Sequence, residues 1–277
     1  KAAEKGVFGK EAAQAIIRNM SFTTDYGRIA DADFVIEAAF ETEEVKHRIF
    51  DQCQATCSEE AIFASNSSHM EPEVIFEKMK AKHRCLVIHY FYPAERNLLV
   101  EIVPGKDTDP ALTDYLMQFY EFIGKAPIKV KSRYGYAVDP IFEGLFEAAA
   151  LTVEKGLANV KQADVIVQKA LGMGVGPFTA HNLAGGNLIT QHGLNEMHRK
   201  IMPWYRSPRI LDEKVKSKEP WETAARGEAV EYSAEAYEAV SKRVIGAYFG
   251  MISEVVDKGV SNIGDLEMAM EVGLVLN

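Results

Sequence analysis

Hydrophobic and polar positions follow two regimes along this chain. Up to about Lys131, short apolar runs alternate with amphipathic stretches; beyond Tyr134 the spacing is helical. The runs Phe34–Phe40, Ala61–Ala64, Leu86–Phe91, Leu99–Val103 and Pro127–Lys131 read as strands, each short and flanked by turn or charged residues. FVIEAAF (Phe34–Phe40) is apolar on both faces, as in a parallel sheet covered by helices. Between the runs, Lys10–Met20, Glu43–Cys57 and Glu73–Lys80 read as helices. Ala12, Ile16, Ile17 and Met20 share one face of the first. Val45, Ile49, Phe50 and Cys53 turn inward on the second, with Thr42 as N-cap, and Pro72 opens the third. Strands alternating with helices imply an α/β unit with a mostly parallel sheet.

The second half is all-α. Tyr134-Gly135 reads as a hinge, and Phe142–Glu154 as a helix that stops at Lys155-Gly156. Leu145–Gly174 aligns without gaps to Tyr248–Asn277: Lys155-Gly156 falls on Lys258-Gly259 and Asn159 on Asn262. Each copy predicts a long apolar helix, a K-G stop and a second amphipathic helix. The expected organisation is a sheet domain over 1–133 and a helical domain over 134–277. The latter divides into one repeat (about 134–200), a linker (about 201–230) and a second repeat (about 231–277), with KVKSKEPW (Lys214–Trp221) as a loop.

Bulk properties narrow the function. A chain of 277 residues, 47% of them apolar, can bury the cores of two domains. A net charge of −9 with scattered Lys and Arg argues against a nucleic-acid partner. No run of roughly 18 apolar residues predicts a membrane span, and the start, KAAEKGVFGKEAAQ, has no apolar core of a signal peptide. Cys53, Cys57 and Cys85 form no disulfide framework and no zinc-spaced pairs, which suits a reducing, cytoplasmic setting. His181, His192 and His198 are not spaced as a metal set and read as surface or satisfied histidines; no metal is expected.

Chemistry concentrates where apolar runs carry polar residues. Ser65–Ser68 end one run, while His89 and Glu101 lie inside two others. Strand pairing can bring such a His and Glu together, so that the carboxylate fixes the imidazole's tautomer and raises its basicity for general-base work. A Ser/Asn cluster at the carboxyl end of a parallel strand lies where open α/β sheets bind ligands. A lone buried His reads more readily as a satisfied core polar group; the ordered set is harder to read that way.

The order SNSS, HYFYP and LVEIV resembles the L-3-hydroxyacyl-CoA dehydrogenase family, especially the dehydrogenase part of multifunctional fatty-acid oxidation enzymes. The likeness runs through DFVIEAAFETEEVK (Asp33–Lys46), Tyr134–Asp139 and GVGPF (Gly174–Phe178). It implies a Rossmann-type domain followed by helical repeats, NAD as cofactor and an acyl-CoA thioester as substrate. It also implies that His89 takes the proton of a 3-hydroxyl while hydride leaves C3, and that Glu101 orients His89. Ser68 would touch substrate and cofactor, while Glu41, Lys46 and Asn66 would line the cofactor cleft. Glu41 with Lys46 also reads as a surface ion pair worth little. Lys5 and Lys10 stand where lysines meet CoA phosphates, or are solvated charges. GVGPF and NLAGGN (Asn182–Asn187) resemble the loop near the acyl pocket. Multifunctional relatives suggest an enoyl-CoA hydratase domain on the same polypeptide, and simpler ones a homodimer.

Departures matter as much as matches. Tyr92 and Asp139 stand where the family has asparagines that contact substrate, and His69 stands at a small polar position. A carboxylate near His89 would favour the imidazolium or itself take up a proton. These changes point to a branched, cyclic or otherwise unusual hydroxyacyl group as an alternative substrate. No G-x-G-x-x-G turn precedes Asp33, so the first two strands and the phosphate loop are expected upstream in a longer chain, and the strands here would face a gap in the sheet. The competing reading is a non-catalytic acyl-CoA-binding module that lost the nucleotide loop.

Overall fold

The computed structural model of the chain describes residues 6 and 9–275; the expected role of Lys5 lies outside them. Five strands pair in sequence order: β1 (Phe34–Glu37), β2 (Ile62–Ser65), β3 (Cys85–Tyr90), β4 (Leu99–Pro104) and β5 (Ala126–Lys129). The β1–β2, β2–β3 and β4–β5 pairs are parallel and β3–β4 is antiparallel. Connection length decides this. A parallel return needs a crossover, supplied by α2 (Glu43–Thr56) and α4 (Pro110–Phe122), whereas residues 91–98 are enough only for an antiparallel return.

The expected gap does not interrupt these strands; among the described residues the sheet's edges are β1 and β5. At the β1 edge FVIEAAF does not extend to Phe40: Ile36 is 42% and Phe40 82% exposed, so the run is not buried on both faces. Side chains alternate across β3 and β4. Leu86, Ile88, Val100 and Ile102 pack against Leu112, Leu116 and Tyr120 of α4. Val87, Leu99 and Val103 face the larger core that the helical half completes.

Several helices differ from the sequence expectation. Helix α1 (Lys10–Arg18) buries none of its residues, and Ile16 and Ile17 stand exposed. Helix α3 is a single turn, Pro72–Ile75, not a helix to Lys80. The Gln54 side chain accepts from the Lys80 N–H and donates to the Lys78 carbonyl, partners that a continuing helix would supply, and turns carry Phe76 and Met79 into the core. KVKSKEPW is not all loop. Its first residues end a helix, Arg209–Ser217, which buries Leu211 and carries an Arg209–Glu213 pair one turn apart.

The helical half comprises α5 (Val138–Glu154), α6 (Val160–Leu171), α7 (Pro177–Ala184), α8 (Asn187–Lys200), α9 (Arg209–Ser217), α10 (Ala234–Asp257) and α11 (Ile263–Leu274). Helix α5 starts at Val138, ahead of the Phe142 expected from spacing. The α5–α6 and α10–α11 pairs carry the repeat. Each first helix ends before a glycine in the left-handed region (Gly156, φ +67°; Gly259, φ +60°), which a side chain would strain. Asn159 and Asn262 then cap the second helices, accepting from the amides of Gln162 and Asp265. Among the described residues no helix is long and apolar enough to cross a membrane.

GVGPF forms the N-terminus of α7, where Asp164 of α6 accepts from the amides of Phe178 and Thr179. A Cβ on Gly176 would lie 2.6 Å from the Asp164 carbonyl oxygen, whereas one on Gly246, exposed in mid-α10, meets nothing within 4 Å. Gly176→Ala is therefore expected to destabilise the fold by about 1–3 kcal/mol through overpacking. Gly246→Ala should stabilise it by about 0.5–1 kcal/mol by reducing backbone freedom. Urea denaturation of the two variants checks the opposite signs.

Candidate active site

The β3–β4 register sets His89 directly opposite Glu101. His89 Nδ1 lies 2.8 Å from Glu101 Oε2. A carboxylate only accepts, so Nδ1 carries the hydrogen and Nε2 is the nitrogen left for chemistry. The other oxygen, Oε1, accepts from the amides of Ala137 and Val138, each at 3.0 Å, at the start of α5. Glu101 is fully buried, and the positive end of α5 favours its charge. Phe91 and Tyr136 rings flank the imidazole at 4.4 and 5.7 Å.

Helix α5 adds two carboxylates one turn apart, Asp139 and Glu143, on the same face. Asp139 Oδ2 lies 3.7 Å from His89 Nε2 and 3.9 Å from His69 Nε2, between the two rings. His69 Nε2 is 3.2 Å from Glu143 Oε1, and its ring stacks on Tyr134. Burial opposes a charge on His69, but Glu143 beside it, then Asp139 and Glu41, hold the imidazolium up to about 9. Burial raises the carboxyls of Asp139 and Glu143, with the imidazoles pulling the other way. Burial also opposes the His89 imidazolium; Asp139 and the bond to Glu101 outweigh it, so His89 titrates above the ordinary histidine range. Glu143 Oε2 and Tyr134 Oη are buried there without protein partners.

A second polar net lies at the carboxyl ends of β1 and β2. Lys46 Nζ lies 2.9 Å from Glu37 Oε2 and 3.0 Å from Glu41 Oε2. Ser65 Oγ donates to Glu37 at 2.5 Å, and Ser67 Oγ bonds Glu41. Lys46 is 1% exposed, so the surface-pair reading of Glu41 and Lys46 is corrected: the ammonium is buried and shared with Glu37. Burial pushes the Glu41 carboxyl up, but Lys46 and the Ser67 hydroxyl more than offset it and hold it below its usual range. Asn66 Oδ1 accepts from the Tyr90 amide and so ties this strand end to β3.

The structure thus brings His89, Glu101 and Asp139 together, and Glu41 with Lys46. Ser68 is half-buried beside the Ser67 net, and Tyr92 stands 72% exposed on the loop after β3. Glu37 and Glu143 were not singled out by the sequence, and Ser67 only as part of the Ser65–Ser68 cluster. A lone glutamate in an apolar strand, and a carboxylate one helical turn after Asp139, were their available signals. His181 is satisfied, as expected: its ring nitrogens meet the Pro177 carbonyl and Thr190 Oγ1, and burial lowers it to about 4. A larger groove of about 1090 Å³, lined by Glu71, Lys106, Lys131, Arg133 and Ser261 among others, shares none of these clusters' residues.

Residues 1–133 match the NAD binding domain of 3-hydroxyacyl-CoA dehydrogenase, and residues 135–230 match its C-terminal domain. The chain is 28% identical over 202 residues to L-carnitine dehydrogenase of Bacillus cereus, covering 70% of this chain and 62% of that protein. It is 35% identical over 161 residues to the peroxisomal fatty acid beta-oxidation multifunctional protein AIM1 of Arabidopsis thaliana, covering 58% of this chain and 22% of that one. It superposes on Mycobacterium tuberculosis FadB2 with a TM-score of 0.76 at 27% identity, covering 80% of this chain and 78% of that one. With 3-hydroxybutyryl-CoA dehydrogenase of Escherichia coli the TM-score is 0.85 at 18% identity, covering 99% and 78%, a likeness of fold.

Breaking the buried lysine net on one side leaves Glu37 charged and unpaired. Lys46→Met is expected to cost about 3–5 kcal/mol of stability, and adding Glu37→Leu to recover much of it. Urea melts of the single and double variants measure both.

Proposed function

Because the chain belongs to the 3-hydroxyacyl-CoA dehydrogenase family, we propose that it forms most of a centre that oxidises a (3S)-hydroxyacyl-CoA to the 3-oxoacyl-CoA. The observation that carries this reading is the hydrogen bond from His89 Nδ1 to buried Glu101, which leaves Nε2 free to work. NAD, the cofactor of the matched N-terminal domain, supplies a hydride acceptor when bound. His89 Nε2 takes the hydroxyl proton, and Glu101, anchored on α5, keeps the ring's tautomer and stabilises the imidazolium. Ser68 hydrogen-bonds the substrate oxygen, and Tyr92 and Asp139 shape the acyl end.

The residues present fit the nicotinamide and ribose side of the cofactor. Glu41, Lys46 and Asn66 put a polar net at the carboxyl ends of parallel strands, where such sheets take ligands. No G-x-G-x-x-G turn for a pyrophosphate occurs among the described residues. A hydratase domain on the same polypeptide and pairing with a second copy belong to the same proposal; the Arabidopsis relative's multifunctional name supports the first.

A second substrate has a specific observation behind it. Asp139 puts a carboxylate beside the working nitrogen of His89, where the family has a neutral amide, which suits a hydroxy acid carrying a positive charge, and relatives named L-carnitine dehydrogenase match much of the chain. NADH absorbance with the full-length encoded protein, using acetoacetyl-CoA in reduction and L-carnitine in oxidation, separates the two. With the preferred substrate, His89→Gln is expected to lower turnover roughly 10²–10⁴-fold while NAD affinity stays nearly unchanged. Undiminished turnover in that variant would remove His89 from the chemistry.

A further inference from the structure

We propose that Asp139 holds a proton on His89 Nε2 in the resting protein, so that the imidazole meets a 3-oxo group as a general acid and must lose that proton before it can serve as base for the hydroxyl. The inference deepens the oxidoreductase reading and rests on it.

The geometry is a single imidazole with a carboxylate at each nitrogen. Glu101 of β4 meets Nδ1 at 2.8 Å, and Asp139 of α5 lies 3.7 Å from Nε2. An imidazole oriented by Glu101 alone is free to lose its second proton near neutrality. Asp139 holds that proton, because it favours the charged ring on the side where the substrate oxygen must arrive.

The other groups around His89 do not cancel this. From the segment after β2, His69 brings positive charge, but Glu143 meets it at 3.2 Å. Glu41, beyond His69, adds negative charge to the same region and is itself paired with Lys46. The start of α5 favours anionic Asp139 and Glu101. From β3's end and the hinge come only the Phe91 ring and the Tyr136 phenol, whose hydroxyl donates to the Met70 carbonyl. Burial opposes the imidazolium, and the two carboxylates overcome it.

In the reductive step, C3 of the 3-oxo substrate takes a hydride from reduced nicotinamide. Its oxygen takes the proton from His89 Nε2. The carbonyl becomes an alcohol, the nicotinamide is oxidised and the neutral ring regains a proton from solvent. Asp139 does not touch the overall equilibrium, which pH and the cofactor ratio set; it decides which form of His89 waits for substrate. Oxidation needs the neutral ring, hence higher pH.

Histidine NMR titration of the protein, with His89→Gln to assign the signal, tests the electrostatic part without cofactor. His89 is expected to titrate above the ordinary value of about 6.5. Asp139→Asn should lower that midpoint by about one unit or more, and the smaller neutral Asp139→Ser should do the same. In the full-length enzyme, the acidic limb of kcat/KM for oxidation and the basic limb for reduction should move down by the same amount. An unmoved midpoint in both variants overturns the proposal. So do unmoved pH limits, because a merely structural Asp139 would change the height of the profiles and not their position. A lowered midpoint in a full-length protein without NAD-linked turnover overturns the oxidoreductase reading and the reductive assignment built on it.

Discussion

Glu101 is the joint on which the site depends. One oxygen holds His89 across the β3–β4 ladder, and the other accepts two amides at the start of α5. A fully buried carboxylate is tolerable only when its acceptors are satisfied, and here they tie sheet to helix. The alternation of side chains makes this register strict. A one-residue slip of β4 would turn Glu101 towards α4, into the apolar face of Leu112, Leu116 and Tyr120. The pairing that positions the imidazole is thus enforced by the cost of the alternatives.

The cleft holds two kinds of buried charge. Around Lys46, one ammonium meets Glu37 and Glu41, and the Ser65 and Ser67 hydroxyls add further hydrogen bonds to the two carboxylates. That net is anchored by hydrogen bonds. Around Asp139, two imidazoles and three carboxylates lie close together, with Glu143 Oε2 left unpartnered. His69, His89, Asp139 and Glu143 shift one another's proton affinities.

The elements were legible where local chemistry and packing agree. Asn159 and Asn262, each after a K-G stop, mark helix starts in both repeats, and the folded helices begin there. His89 and Glu101 stood out because buried strands rarely carry charge. Reading failed where a distant partner decided the outcome. The stretch after Pro72 has helical spacing, but the Gln54 side chain takes its backbone groups at Lys78 and Lys80. FVIEAAF looks buried on both faces, yet it forms an edge of the sheet. The alternative of Glu41 and Lys46 as a surface pair stood because Glu37 was passed over as part of its strand.

By itself the sequence determined the element types, the family, the repeat and the residues able to do chemistry, because periodicity, caps and motif order are local properties of the chain. It brought Glu101 and Asp139 to His89, but it did not show that His69 and Glu143 share their space. Asp139 and His69 are far apart in the chain and in different elements, and only the docking of α5 over the end of β3 puts one carboxylate oxygen between two imidazoles. Proton affinity depends on distance and burial, and neither exists until the helix is seated on the sheet.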